Sequence, residues 1–97
     1  MKISIKTTNF QKDFVLPSDE YFVGITLIYE NMSLDIIKIK NYFSEKCEEI
    51  VLDENTKIIF YYYSTLRAKE ILESFEGYEG IRCIELHTPT IDLIASI

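Results

Sequence analysis

Apolar and polar residues fall into two periods along this chain. From Lys2 to Thr7 they alternate, with Ile3 and Ile5 on one side, which predicts a strand with one wet face at a sheet edge. Residues 9–21 carry the turn signal Leu16-Pro17-Ser18-Asp19. Phe22 to Glu30 then runs apolar and β-branched, which predicts a second strand, with Gly24 as the place for a bulge.

The period then changes. Met32, Ile36, Ile39, Phe43 and Cys47 recur at spacings of three and four, with Lys38, Lys40 and Glu45 off the stripe, so a helix is expected with Asn31 or Ser33 as its cap. Glu48–Leu52 reads as a short strand. Asp53–Thr56 reads as a four-residue polar turn, and Lys57–Tyr63 as the returning strand of a hairpin. The six apolar or aromatic residues from Ile58 to Tyr63 predict an internal strand covered on both faces. Ser64 or Thr65 caps a second helix with Ala68, Ile71, Leu72 and Phe75 on one face, and Gly77 is placed to end it in a left-handed conformation. Ile81–Leu86 is another strand, and Thr90–Ile97, set apart by Pro89, is a last edge strand.

The expected order is β-β-α-β-β-α-β-(β). Each helical stripe needs a sheet to cover it, so the fold class is mixed α+β: a sandwich of a mixed sheet, about five or six strands, with two helices. The expected core holds Ile36, Ile39, Phe43, Ile58, Phe60, Ile71, Leu72 and Phe75. A length of 97 residues with no repeat or linker makes residues 1–97 one domain. At 47% hydrophobic and 13% aromatic, with 3 Gly and 2 Pro, the composition excludes a disordered or collagen-like chain.

The apolar runs are far shorter than the roughly 18–20 residues that span a bilayer. The start of the chain lacks the apolar stretch of a secretory signal, and two distant cysteines, Cys47 and Cys83, suit reduced thiols, so the expected compartment is cytoplasmic. Candidate chemistry is sparse. His87 is the only histidine, and Cys83, four positions earlier on one strand, stands roughly 13 Å away at about 3.3 Å per residue, too far for a nucleophile and its base. Gly77-Tyr78-Glu79-Gly80 follows a helix instead of preceding one, the wrong order for a phosphate cradle, and Asp53-Glu54-Asn55 lacks the glycine of a calcium loop. The expectation is therefore no catalytic residue, no cofactor and no metal. Tyr61, Tyr62 and Tyr63 are expected mainly in the core, and Tyr78 on the surface.

Charge placement changes the picture. Acidic and basic residues balance over residues 1–44, so the whole net charge of −6 arises in residues 45–97, where eleven acidic residues face five basic ones. Glu45, Glu48, Glu49, Asp53 and Glu54 surround the hairpin, while Glu70, Glu73 and Glu76 recur along the second helix. With Tyr78 these form the expected partner-binding set. A nucleic-acid backbone is excluded as a partner by sign. A small, chemistry-free, acidic domain suits the obstruction of a positively charged protein, since complementary charge speeds encounter. The expected function is thus a small cytoplasmic inhibitor, an immunity protein or antitoxin of a bacterial cell that neutralises a basic toxin such as a nuclease. A phage-encoded inhibitor of a host defence protein would carry the same features. The alternative is a regulatory or ligand-binding module that self-associates, as a homodimer through an edge strand.

Overall fold

Alternation of Ile3 and Ile5 with polar neighbours produces β1 (Lys2–Lys6), which turns back through Thr7–Phe10 into β2 (Gln11–Val15). In this computed structural model, residues 2–17, 21–42, 47–61 and 65–97 are described, with every side chain among them except those at positions 36, 40, 42, 60 and 65. There follow β3 (Gly24–Glu30), α1 (Ile36–Tyr42), β4 (Cys47–Leu52), β5 (Asn55–Phe60), α2 (Thr65–Glu73), β6 (Ile81–His87) and β7 (Asp92–Ser96). The fold is mixed α+β. One sheet has the order β4-β5-β3-β6-β7, the other is the β1-β2 hairpin, and every pairing is antiparallel, not mixed in direction as expected.

Strand β2 is the element that the sequence does not announce. In Gln-Lys-Asp-Phe-Val only Phe14 is buried, so no alternation marks it, and its pairing with β1 is closed by Thr7, whose hydroxyl accepts the N–H groups of Asn9 and Phe10. Gly24 pairs regularly with His87. The register instead shifts between Ile28 and Tyr29, where β3 meets β6.

Residues 25, 27 and 29 of β3, Ile58 of β5, Ile84 and Leu86 of β6 and Ala95 of β7 share one face of the five-stranded sheet, and all are buried. Against them pack Ile3, Ile5 and Phe14 of the hairpin, Ile39 of α1, and Ala68, Ile71 and Leu72 of α2 with Phe75 just beyond it, in one continuous core. Burial of this set is the main stabilising term. Of the expected core, Ile39, Ile58, Ile71, Leu72 and Phe75 are buried. Phe43 and the side chains of Ile36 and Phe60 lie outside what is described.

The opposite face of the sheet is only half covered. Ile28, Lys57, Ile59, Cys83 and Glu85 are partly exposed and Ile94 is exposed, so β5 is internal by pairing yet buried on one side, and Tyr61 beyond it is exposed. An unbroken apolar run therefore misled: Ile58 points to the core and Ile59 away from it. Tyr62, Tyr63 and the candidate cap Ser64 fall outside the described residues, and α2 starts at Thr65. Gly77 takes the left-handed conformation, φ 79°, after the helix. Among the described residues no helix is long and apolar enough to cross a membrane.

Candidate protein-binding surface

The first helix is shorter than its stripe suggests, because residues 31–35 form a turn that is tied down from two sides. The Asn31 N–H donates to the Glu54 carbonyl at 2.9 Å, its Nδ2 donates to the Asp53 carbonyl at 3.1 Å, and its Oδ1 accepts the Thr56 hydroxyl. These bonds lock the β3–α1 turn against the β4–β5 turn. From the other side, the Ser33 hydroxyl donates to the Glu79 carbonyl at 2.6 Å and accepts the Asp35 N–H, while Asp35 Oδ2 accepts the Glu79 N–H at 2.8 Å. With its backbone held there, Met32 cannot join the helix, and Cys47, the last residue of the expected stripe, opens β4 instead.

The consequence is an apolar group pushed into water. Met32 is 91% exposed and Leu34 90%, with Ile37 also exposed on α1. On the β4–β5 hairpin Ile50 and Leu52 are exposed on one face of the sheet and Val51 on the other, and the hairpin tip is Asp53, with φ 52°, followed by Glu54. An open cleft of about 680 Å³ separates the two turns, lined by Glu30, Asn31, Met32, Asp53, Glu54 and Arg82 among others. Arg82 is held by Glu30 at 2.8 Å, which leaves the carboxylates of Asp53 and Glu54 as the surplus charge of this cleft. Large exposed aliphatic side chains rimmed by charge are the composition of a contact surface for another protein.

Comparison with known proteins finds no match. Neither a family model, nor a curated protein, nor a solved structure resembles this chain closely enough to lend it an assignment.

The eight expected acidic residues divide by surroundings. On α2 and the turn after it, Glu70 pairs with Arg67, Glu73 with Lys69 and Glu76 with Lys6, so that cluster is locally neutralised. On the hairpin, Glu48, Asp53 and Glu54 are exposed with no basic partner in ion-pair range among the described residues. The base nearest in register is Lys57, across from Ile50. Glu45 falls outside the described residues. Glu49 has an internal role: its Oε1 accepts the hydroxyl of Tyr29, fully buried, at 3.0 Å, which fixes β4 to the core. Burial first, and then the Glu49 carboxylate, push the Tyr29 phenol far above its usual range.

Tyr78 corrects the expectation of exposure. It is half-buried, its ring centroid 5.5 Å from that of Phe75 and 5.6 Å from Lys38 Nζ, because the loop folds back so that the Tyr78 N–H bonds the Phe75 carbonyl at 2.9 Å. It is a packing residue with a cation over its face.

Sequence reasoning also missed the company His87 keeps. Its Nδ1 lies 2.9 Å from Asp92 Oδ1 and its Nε2 2.8 Å from Thr26 Oγ1, with Glu85 Oε2 at 3.9 Å. The signal existed: a hairpin from β6 to β7 makes Asp92 the register partner of His87. The order of atoms matches a hydrolytic triad, but Thr26 is only 3% exposed and stands inside a ladder whose N–H groups bond β5 and β6 instead of converging on an oxyanion. Its physical effect is to join three strands across the half-covered face. Cys47 is not brought to it, since β5 and β3 lie between β4 and β6, three steps of about 4.8 Å. Burial and Glu85 raise the Cys83 thiol, which lowers its reactivity. Among the described residues no three His, Cys, Asp or Glu side chains group so as to hold a metal ion.

Proposed function

We propose that this protein is a binding protein, not an enzyme: a small acidic inhibitor of the immunity-protein or antitoxin kind that attaches to a basic protein, such as a nuclease toxin, and obstructs its positively charged site. The observation that carries this reading is the clamp made by Asn31. It sets Met32, almost fully exposed, in one cleft with the uncompensated carboxylates of Asp53 and Glu54, and Leu34, equally exposed, follows two residues further along the same turn. Aliphatic side chains supply the area lost to water on contact, while the carboxylates select a partner of opposite sign and speed its approach. The cleft between the turns fits a lysine or arginine side chain of that partner, as its surplus charge is negative.

The test uses the protein encoded next to this one, where inhibitor and target are usually found together. If that neighbour is basic, mixing should give a complex on size-exclusion chromatography and suppress its activity. Met32→Asp combined with Leu34→Asp should abolish both effects without unfolding, since substitutions at exposed sites move stability by about 0.5 kcal/mol. Suppression that survives the double substitution, or a homodimer that binds no basic protein, would refute the reading.

A further inference from the structure

The β4–β5 turn determines which backbone groups of β4 face outward. Leu52 and Asn55 flank a turn of two residues and therefore form a mutually hydrogen-bonded pair, so Leu52, Ile50 and Glu48 aim their N–H and C=O groups at β5. The residues between them aim theirs the other way. Val51 is opposite Thr56 in a non-hydrogen-bonded pair, and its side chain is 70% exposed. Among the described residues β4 pairs with β5 alone, whereas at the other end of the sheet β2 comes alongside β7. Among the described residues strand β4 is therefore the open edge of the sheet, with Val51 as an outward-facing position.

Natural edges are guarded against further pairing by charged side chains, lysine above all, by proline or by a bulge. The segment Cys47–Leu52 has no lysine, proline or bulge, and its register with β5 is regular throughout. Its charges are all acidic, Glu48 and Glu49 before Ile50-Val51-Leu52 and Asp53 and Glu54 after it, so they repel an acidic strand and admit a basic one. All six residues of the strand are exposed. We propose that the outer edge of β4 receives an extended strand from the partner, with lysine or arginine at both ends and about three apolar residues between them. Residues directly opposite across two strands lie about 4.5–5.5 Å apart, so one basic end would face Glu48 and the apolar middle would cover Ile50 and Leu52, while the other basic end reaches past the strand to the turn carboxylates of Asp53 and Glu54. A second copy of this chain is the poorer occupant, since each copy carries −6 and brings carboxylates to carboxylates. This inference rests on the reading of the protein as a binder of basic partners and names how it binds.

The probe is a synthetic peptide Lys-Arg-Val-Ile-Val-Lys-Arg, with Lys-Arg-Val-Pro-Val-Lys-Arg as an equally charged peptide that cannot complete a strand. Both are titrated into the full ¹⁵N-labelled chain at about 50 mM salt. Strand addition requires that the first peptide bind at least about tenfold more tightly than the second and slow hydrogen exchange at the Val51 amide about tenfold or more. Val51→Pro should weaken the first peptide by a similar factor while leaving the β4–β5 amide signals in place, because the N–H removed is not one that bonds β5. If that variant fails to fold, exchange at Val51 in the unaltered protein still decides. Equal binding of the two peptides, or unchanged exchange at Val51 on saturation, would overturn strand addition and leave the basic-partner reading standing. No binding of either peptide, or a homodimer that the peptide does not dissociate, would also overturn it, and suppression of the basic neighbour would then show whether the wider reading fails with it.

Discussion

Gly80 is where a single methyl group should do most harm relative to its size. Its φ is +82°, in the left-handed region, and a Cβ built there would lie 2.6 Å from Ser33 Cβ and 2.7 Å from Ser33 Oγ. Ser33 has no room to withdraw, since its hydroxyl bonds the Glu79 carbonyl and the Asp35 N–H. Two costs therefore add in Gly80→Ala: about 1–2 kcal/mol for an L side chain in the left-handed region and about 1–3 kcal/mol for overpacking. The sum, ~2–5 kcal/mol, is a large share of the ~5–15 kcal/mol that holds a domain of this size. Gly77 supplies the internal control, with φ +79° and nothing within 4 Å of the added Cβ, so Gly77→Ala should show the backbone cost alone. Urea unfolding of the three proteins, with midpoints compared at constant m, measures the difference. Ser33→Gly should give back the clash in the Gly80→Ala background while losing its own hydrogen bonds. Because Ser33 anchors the turn that presents Met32 and Leu34, Gly80→Ala should also weaken partner binding. A loss for Gly77→Ala equal to that for Gly80→Ala would show that the contact with Ser33 is not the tight one described.

Phe75→Ala should destabilise by about 3–5 kcal/mol in the same unfolding assay, because the ring is fully buried between α2 and the Tyr78 loop; an unchanged midpoint would refute its place in the core. Tyr29 predicts an alkaline effect: its phenol loses its proton at higher pH folded than unfolded, so the folded state binds more protons above about pH 10 and stability falls there by up to about 1.4 kcal/mol per pH unit. Below about pH 10 this contribution is fully present, and Tyr29→Phe should flatten the alkaline decline. Glu48→Lys with Glu54→Lys should slow association with a basic partner severalfold at about 50 mM salt and hardly at about 500 mM. The same charge change made at Glu70 and Glu73, or at Asp13 and Asp19, should slow it less, and equal slowing would mean that overall charge and not the hairpin directs the encounter.

Local pattern alone specified α2, β1, β3, β6, β7 and the β4–β5 hairpin, since each has a period that one covered face imposes; the hairpin turn, however, is two residues and not the four expected, because Asn55 and Thr56 pair with Leu52 and Val51 as the start of β5. The same pattern gave the concentration of acid in the second half of the chain. It erred where a side chain's surroundings come from distant residues. The stripe from Met32 to Cys47 is helical in spacing, yet hydrogen bonds from Asn31 to Asp53 and Glu54 and from Ser33 to Glu79 stop the helix short at its start. β2 formed without a pattern because β1 supplies its partners. Tyr78 turned inward because Phe75 and Lys38 meet there, and His87 found Thr26 and Asp92 across two neighbouring strands. The acidic residues were all visible in the sequence, but which of them keep an uncompensated charge was decided by whether Arg67, Lys69 and Lys6 fold beside them. Periodicity reports which face of an element is covered; the identity of what covers it is a property of contacts far apart in the chain, which only the tertiary fold brings together.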